Sequence, residues 1–179
     1  MADQRFYQQF STLLSYPRGD LAQIANDCLA EMRASQPAVA ASFQPFADFL
    51  ENNESSRVEE IYTATFDLQP HCHPYLGYQL CGESQQRTYF LLELKRLYRK
   101  YGFSGGNELP DHLGEVLAFL AVTEDETVQS ELINDGLRPA LDKLLKGFDN
   151  PQNPYRLLLG ALQGYLDATS IPGQKEVAP

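Results

Sequence analysis

The sequence predicts an all-α fold, a single globular helical domain of about eight helices. Three observations predict it. Apolar residues recur at three- and four-residue spacing through most of the 179 residues. No segment alternates apolar and polar residues for long enough to read as a strand, and no internal repeat of roughly 20 to 50 residues divides the chain. A chain of this length buries roughly 70% of the surface it would expose unfolded, so one core suffices. The helical domain is expected over residues 1–170, and the short polar stretch 171–179, with Pro and Gly, as a disordered tail.

Taken in order, Phe6, Phe10, Leu13 and Leu14 make the first apolar stripe. Leu21, Ile24, Cys28, Leu29 and Met32 make the second, and Phe43, Phe46, Ala47 and Leu50 the third. Ser56 with Glu59 has capping-box spacing and opens a helix carrying Val58, Ile61, Tyr62 and Thr65. Pro74 predicts a short helix from Tyr75 to Cys81, which Gly82 and Ser84 separate from a long one over about Ser84 to Tyr101. The long helix turns Phe90, Leu94, Leu97 and Tyr101 inward, and Gly102 with Gly105 and Gly106 ends it in a flexible connection. Pro110 suits a first helical position, Asp111 the positive end of the helix dipole, and Leu113, Val116, Leu117 and Leu120 the buried stripe that follows. Thr123 with Glu126 caps the next helix, and Asn153 with Pro154 starts the last, carrying Leu158, Leu162, Tyr165 and Leu166.

Composition narrows the function. Three cysteines, Cys28, Cys72 and Cys81, form an odd set without C-x-x-C spacing, which favours free thiols and a reducing compartment. The opening Met1 to Phe6 lacks a signal-peptide pattern, and no apolar run approaches the roughly 20 residues that span a bilayer. A soluble cytoplasmic protein without membrane insertion is expected. The net charge of −10 and pI near 4.7 repel nucleic acid and suit a cationic partner. Arg87, Lys95, Arg96, Arg99 and Lys100 cluster on the long helix, where i, i+4 spacing reads as a solvated face rather than a nucleic-acid site.

His71, Cys72, His73 and Cys81 invite a metal reading, because imidazole and thiolate are the usual zinc ligands. With a helix starting at Pro74, His73 and Cys81 stand roughly 12 Å apart at about 1.5 Å per residue, too far for one ion with bonds near 2 Å. Paired surface histidines with two buried thiols are expected instead, and no metal or cofactor. Nothing supplies a Gly-rich phosphate loop, H-E-x-x-H or G-x-S-x-G, so neither an enzyme nor a nucleotide-binding regulator is indicated. The rival to the reading below is a small metal- or redox-responsive helical protein built on the His71/Cys72/His73/Cys81 cluster.

Tyr62-Thr63-Ala64-Thr65-Phe66-Asp67-Leu68, then Gly82-Glu83-Ser84 with Arg87, Tyr98, Tyr101-Gly102, and Glu108-Leu109-Pro110-Asp111-His112-Leu113 with Leu117 to Leu120 follow in order. This series resembles the nitrate reductase delta-subunit family, the NarJ branch of the NarJ/TorD/DmsD assembly chaperones. The resemblance spans about Glu59 to Ala121. It implies an all-helical cytoplasmic chaperone, not an enzyme, that binds the N-terminal tail of a molybdoenzyme catalytic subunit and assists molybdenum cofactor insertion before membrane docking or export. The implied client is a nitrate reductase alpha subunit or a related reductase.

Within that reading, a client peptide lays an apolar face in a groove between helices while its basic residues meet acid at the rim. Asp111, Glu108, Asp67 and Glu83 are the candidate acids. His112 is placed to donate to the peptide backbone or to orient Asp111, Tyr75 and Tyr78 to line the groove, and Arg87 to bind or to pair with Glu83 at i, i+4. The glycine-rich connection 102–107 permits helix exchange, so monomer and homodimer both remain open.

Overall fold

The computed structural model describes residues 2–169, and the tail expected at 171–179 lies outside the described residues. Ten α-helices run Ala2–Leu14 (α1), Leu21–Ser35 (α2), Pro37–Glu51 (α3), Ser55–Phe66 (α4), Leu76–Cys81 (α5), Gln85–Lys100 (α6), Leu113–Leu120 (α7), Glu126–Glu131 (α8), Arg138–Lys146 (α9) and Pro154–Ala168 (α10). A π-helical turn, Leu132–Leu137, joins α8 to α9, so the described residues form nine rods without a strand. The only sheet-like feature among them is a single antiparallel bridge between Tyr75 and His112.

Most of the predicted stripes bury, while Ile24, Ile61 and, on α6, Phe90, Leu97 and Tyr101 are only partly buried against the core. Phe6, Phe10, Leu13 and Leu14 of α1 and Phe43, Phe46, Ala47 and Leu50 of α3 are core residues, as are Leu158, Leu162, Tyr165 and Leu166 of α10. α3 packs between α2 and α10, and α7 packs on α1. α7 is apolar on nearly every side, with Leu113, Gly114, Val116, Leu117, Phe119 and Leu120 all buried, as a helix at the middle of a domain requires. Its first turn therefore lies deep in the molecule. No helix among the described residues is long and apolar enough to cross a membrane.

Several helix starts differ from expectation. Glu54 precedes α4 without a side-chain cap, so Ser56 and Glu59 form no capping box. Asp125, not Thr123, caps α8, its carboxylate accepting from the Thr127 and Val128 N–H groups. α7 begins at Leu113 with His112 as N-cap, which leaves Pro110 and Asp111 outside the helix. The glycine connection after α6 is also tied down rather than loose: Gly106 N–H donates to the Glu115 carboxylate at 2.8 Å, and Gly102 and Gly105 take the positive φ that lets the chain fold back. α6 starts close to the expected place, with Ser84 as its N-cap and Ser84 Oγ accepting from the Arg87 N–H.

Candidate acidic cleft at the start of the central helix

The tract before α7 is fixed from two sides. Leu76 N–H donates to Asp111 O at 2.7 Å and Leu113 N–H to Pro74 O at 2.8 Å, so the Asp111-His112 and Pro74-Tyr75-Leu76 segments lie side by side. Tyr98 of α6 then donates its hydroxyl proton to Pro110 O at 2.8 Å. Backbone groups that would be orphaned in the interior are paired, as burial demands.

Asp111 occupies the interior, not the rim. Its side chain is 0% exposed, and it pairs with Arg87 of α6 through Nε to Oδ2 at 3.0 Å and Nη2 to Oδ1 at 3.4 Å. Arg87 thus pairs with Asp111 and not, as i, i+4 spacing allowed, with Glu83, which is exposed. The guanidinium also lies 5.5 Å and 5.7 Å from the ring centroids of Tyr75 and Tyr78, within cation–π range. Gly77 makes this approach possible. A Cβ there would meet Asp111 Oδ2 at 2.8 Å, Phe90 Cδ1 at 2.9 Å and Arg87 Cγ at 3.0 Å. Gly77 and Tyr98 are the positioning residues that sequence reading missed; a glycine inside a short helix, at its second position, was the available signal.

His112 is 2% exposed, and its Nδ1 accepts the Gly114 N–H at 3.0 Å. That bond leaves the ring proton on Nε2. Burial is the main influence on the ring and lowers its pKa from the ordinary value, against an upward pull from Glu108 and Asp111. The imidazole is neutral at pH 7.

Beside this ring opens a cleft of about 290 Å³, lined by Tyr16, Tyr62, Phe66, Asp67, His73, Pro74, Tyr75, Glu108 and His112. The size sits at the lower edge of ligand pockets, which begin at roughly 300 Å³. It brings together Asp67, Glu108, His112 and Tyr75 from the expected set, with Asp111 and Arg87 directly behind; Glu83 and Tyr78 do not line it. Tyr75 donates its hydroxyl proton to Glu108 Oε2 at 3.0 Å. Burial first, then this bond to Glu108, raises the Tyr75 pKa; burial and Glu108 do the same to Tyr62. Asp67 closes the C-terminal end of α4, where the helix dipole adds negative potential. No Lys or Arg among the described residues lines the cleft. Of its lining residues Tyr16 is an exposed large apolar group, at 41%, and the sequence neighbours of two others are exposed as well: Leu68, next to Asp67, at 72%, and Leu109, next to Glu108, at 46%.

The histidine–cysteine cluster disperses. His73 Nδ1 donates to Phe66 O at 2.9 Å, and Cys72 is buried with its thiol 3.6 Å from Gly147 O. Burial pushes the Cys72 thiol up to about 11. Cys81, expected inside, is exposed, and His71 also faces solvent. No group of three or more His, Cys, Asp or Glu side chains among the described residues is disposed to hold a metal ion.

The basic face of α6 is solvated as expected, with Lys95, Arg96, Arg99 and Lys100 all exposed. A larger depression of about 510 Å³ between Pro17–Ala22 and Leu50–Glu59 mixes Arg18 with Asp20, Glu54 and Glu59. It contains none of the expected site residues.

Against known proteins, the family model for the nitrate reductase delta subunit matches residues 33–156, which include every element of the cleft except Tyr16. The chain is also similar in fold to the crystal structure of a proposed redox enzyme maturation protein from Archaeoglobus fulgidus, with a TM-score of 0.62 over 92% of this chain and 93% of that one at 22% identity. No curated protein matches the sequence.

Proposed function

Because the chain belongs to the nitrate reductase delta subunit family, we propose that it is a maturation chaperone for a molybdoenzyme, binding the N-terminal tail of the catalytic subunit at the cleft beside His112. In this role it keeps the apoprotein open to molybdenum cofactor insertion, in the cytoplasm, before membrane docking or export. The observation that supports the reading is that Asp67 and Glu108 share one cleft with His112, without a lining Lys or Arg among the described residues and with exposed Tyr16, Leu68 and Leu109 on or next in sequence to its lining.

The physics suits a leader peptide. Leu68, Leu109 and the Tyr16 ring offer apolar contact, and Asp67 and Glu108 offer charge to basic residues. A charge-assisted hydrogen bond contributes about 1.5–3 kcal/mol, so two or three with modest apolar burial reach the roughly −8 kcal/mol of micromolar binding. Release remains easy at that affinity, as a transient assembly factor needs. Asp111, enclosed by Arg87, acts in this scheme as a positioning residue rather than a direct contact. Tyr78 and Arg87 support the wall behind Tyr75, and Glu83 contributes only to the field outside.

The test is calorimetry with N-terminal peptides of the molybdoenzyme catalytic subunit encoded beside this protein. One-to-one binding that weakens with salt is expected. Absence of heat for any such peptide, together with normal molybdenum content of the reductases in cells lacking the chain, overturns the proposal. The metal- or redox-responsive alternative has less support, because Cys72 and His73 are engaged with backbone carbonyls.

A further inference from the structure

We infer that the solvent face of α6 is a separate docking surface, built for one helix of an acidic partner protein that lies antiparallel to α6 with its acidic first turns against Lys95, Arg96 and Arg99. None of these residues lines the cleft, and the basic end of the face repels the basic leader proposed there.

α6 contributes little to the core for its length. Of its 16 residues only Leu94 and Tyr98 are buried. Gln85, Tyr89, Leu92, Arg96 and Arg99 follow one another at alternating four- and three-residue steps, so they form one stripe along the helix, and all five are exposed. Tyr89 and Leu92, one turn apart, are large apolar groups at 60% and 48% exposure. A stripe of this spacing, about 21 Å long at about 1.5 Å per residue, is the kind of seam on which a second helix packs.

Charge selects the partner. α6 holds five of the 14 Lys and Arg of the chain but one of its 24 Asp and Glu. Arg87 is spent on Asp111 and Arg96 pairs with Glu93 on the helix itself, while Lys95, Arg99 and Lys100 make no ion pair among the described residues. In a chain of net charge −10, this concentration of unanswered cations fits an acidic ligand.

The order of groups along the stripe sets the direction. Glu83, exposed, stands just before the helix. Tyr89 and Leu92 come next, beside a depression of about 540 Å³ lined by Glu83, Ser84, Gln85, Arg87, Thr88 and Leu91, and the cations come last. Helices favour Asp and Glu in the first turn and Lys and Arg in the last. Laid antiparallel on α6, such a helix sets its acids on Lys95, Arg96 and Arg99, its apolar residues on Tyr89 and Leu92, and its basic end near Glu83. An anionic bilayer fits less well. The cations share the stripe with two apolar side chains instead of flanking a wide apolar face, and the acid elsewhere on the chain opposes that contact.

The probe is an N-acetylated peptide of about 16 residues, stapled on its far side because so short a helix is marginal alone. It carries Glu at the seam positions of its first two turns, Leu at those of the next two and Lys at its end, and is titrated against the full chain by fluorescence anisotropy. Saturable one-to-one binding is expected below about 1 mM, weakened by salt. A peptide with Lys in place of the seam Glu should bind about tenfold more weakly. A spin label at the peptide N-terminus should broaden the NMR signals of Arg99 and Lys100, not of Gln85. Lys95→Glu with Arg99→Glu, at exposed positions without ion pairs among the described residues, should reverse the preference, losing the Glu peptide and gaining the Lys peptide. Leu92→Ser should weaken both peptides about fivefold and leave the preference intact. Absence of saturable binding overturns the inference, as does equal binding of the Glu and Lys peptides or broadening at the Gln85 end. Co-sedimentation with phosphatidylglycerol vesicles, or self-association in light scattering, that is lost in the charge-reversed variant while no peptide binds assigns the face to a membrane or to a second copy, and overturns it too.

Discussion

Arg87 and Asp111 stand 24 residues apart in sequence and meet through two hydrogen bonds, with the carboxylate fully enclosed and the arginine side chain 17% exposed. The pair ties the first turn of α6 to the segment that leads into the central helix. It is also the back wall of the cleft, since Tyr75 packs against the same guanidinium on one side and lines the cleft on the other.

The two halves of this pair should not cost the same to remove. Arg87→Met leaves an enclosed carboxylate with no counter-charge and is expected to destabilise by about 3–5 kcal/mol. Asp111→Asn keeps an acceptor for the guanidinium, which still reaches water, and should cost less, about 1–2 kcal/mol. The double variant should recover part of the Arg87→Met loss. Urea denaturation of the four proteins measures this; additive losses would show that the pair does not act as a unit.

Gly77→Ala should lower stability, against the usual rule. A helical glycine ordinarily gains up to about 1 kcal/mol on becoming alanine, less in a first turn such as that of Gly77. Here the new methyl meets Asp111 Oδ2, Phe90 and Arg87 at 3.0 Å or closer, so a loss of about 1–3 kcal/mol is expected from overpacking. The same variant should weaken peptide binding, because α5 must move away from the pair. Thermal unfolding beside Gly160→Ala, at a helix position with nothing within 4 Å, separates packing from propensity.

Periodicity carried the helices because burial is what spaces residues such as Phe43, Phe46 and Leu50, and the same residues lie in the core. Helix starts were less legible. Around α8, Thr123, Asp125 and Glu126 all have capping chemistry within one turn, and only the folded backbone selects Asp125. Asp111 read as a rim acid because a carboxylate is exposed by default. Its burial depends on Arg87 and on the space left by Gly77, contacts that local spacing does not encode. Asp67 and Glu108 were legible as acids, but their sharing one cleft with His112 came only from the side-by-side backbone of Pro74-Tyr75 and Asp111-His112.

His112 should make the protein less stable in mild acid. Its pKa is lowered in the folded state, chiefly by burial, while the unfolded chain takes the ordinary value near 6.5. The unfolded state therefore binds more protons below that value. The stabilisation is complete above about pH 6.5 and declines as pH falls toward the folded value, by up to about 1.4 kcal/mol per pH unit. Urea midpoints at pH 7.5 and 5.5 should differ for the natural chain and differ less for His112→Asn. An equal drop in both would assign the acid sensitivity to carboxylates instead.

Tyr155→Phe should hold or raise stability although the site is at the centre of the core. The Tyr155 ring is fully buried among Phe46, Tyr62 and Phe66, with centroids 5.5, 5.4 and 5.1 Å away, and those contacts survive the substitution. Its hydroxyl, by contrast, has no hydrogen-bond partner among the described residues. Desolvating an unanswered hydroxyl costs about 1–3 kcal/mol, so its removal should gain about 1 kcal/mol and raise Tm by roughly 2–4 °C for a chain of this size. Tyr62 provides the contrast. Its hydroxyl donates to Leu14 O at 3.3 Å, so Tyr62→Phe removes that buried carbonyl's donor and should lower Tm instead. A loss of stability in Tyr155→Phe comparable to that in Tyr62→Phe would mean that the buried hydroxyl is answered by an internal water, and calorimetric unfolding of the two variants side by side decides it.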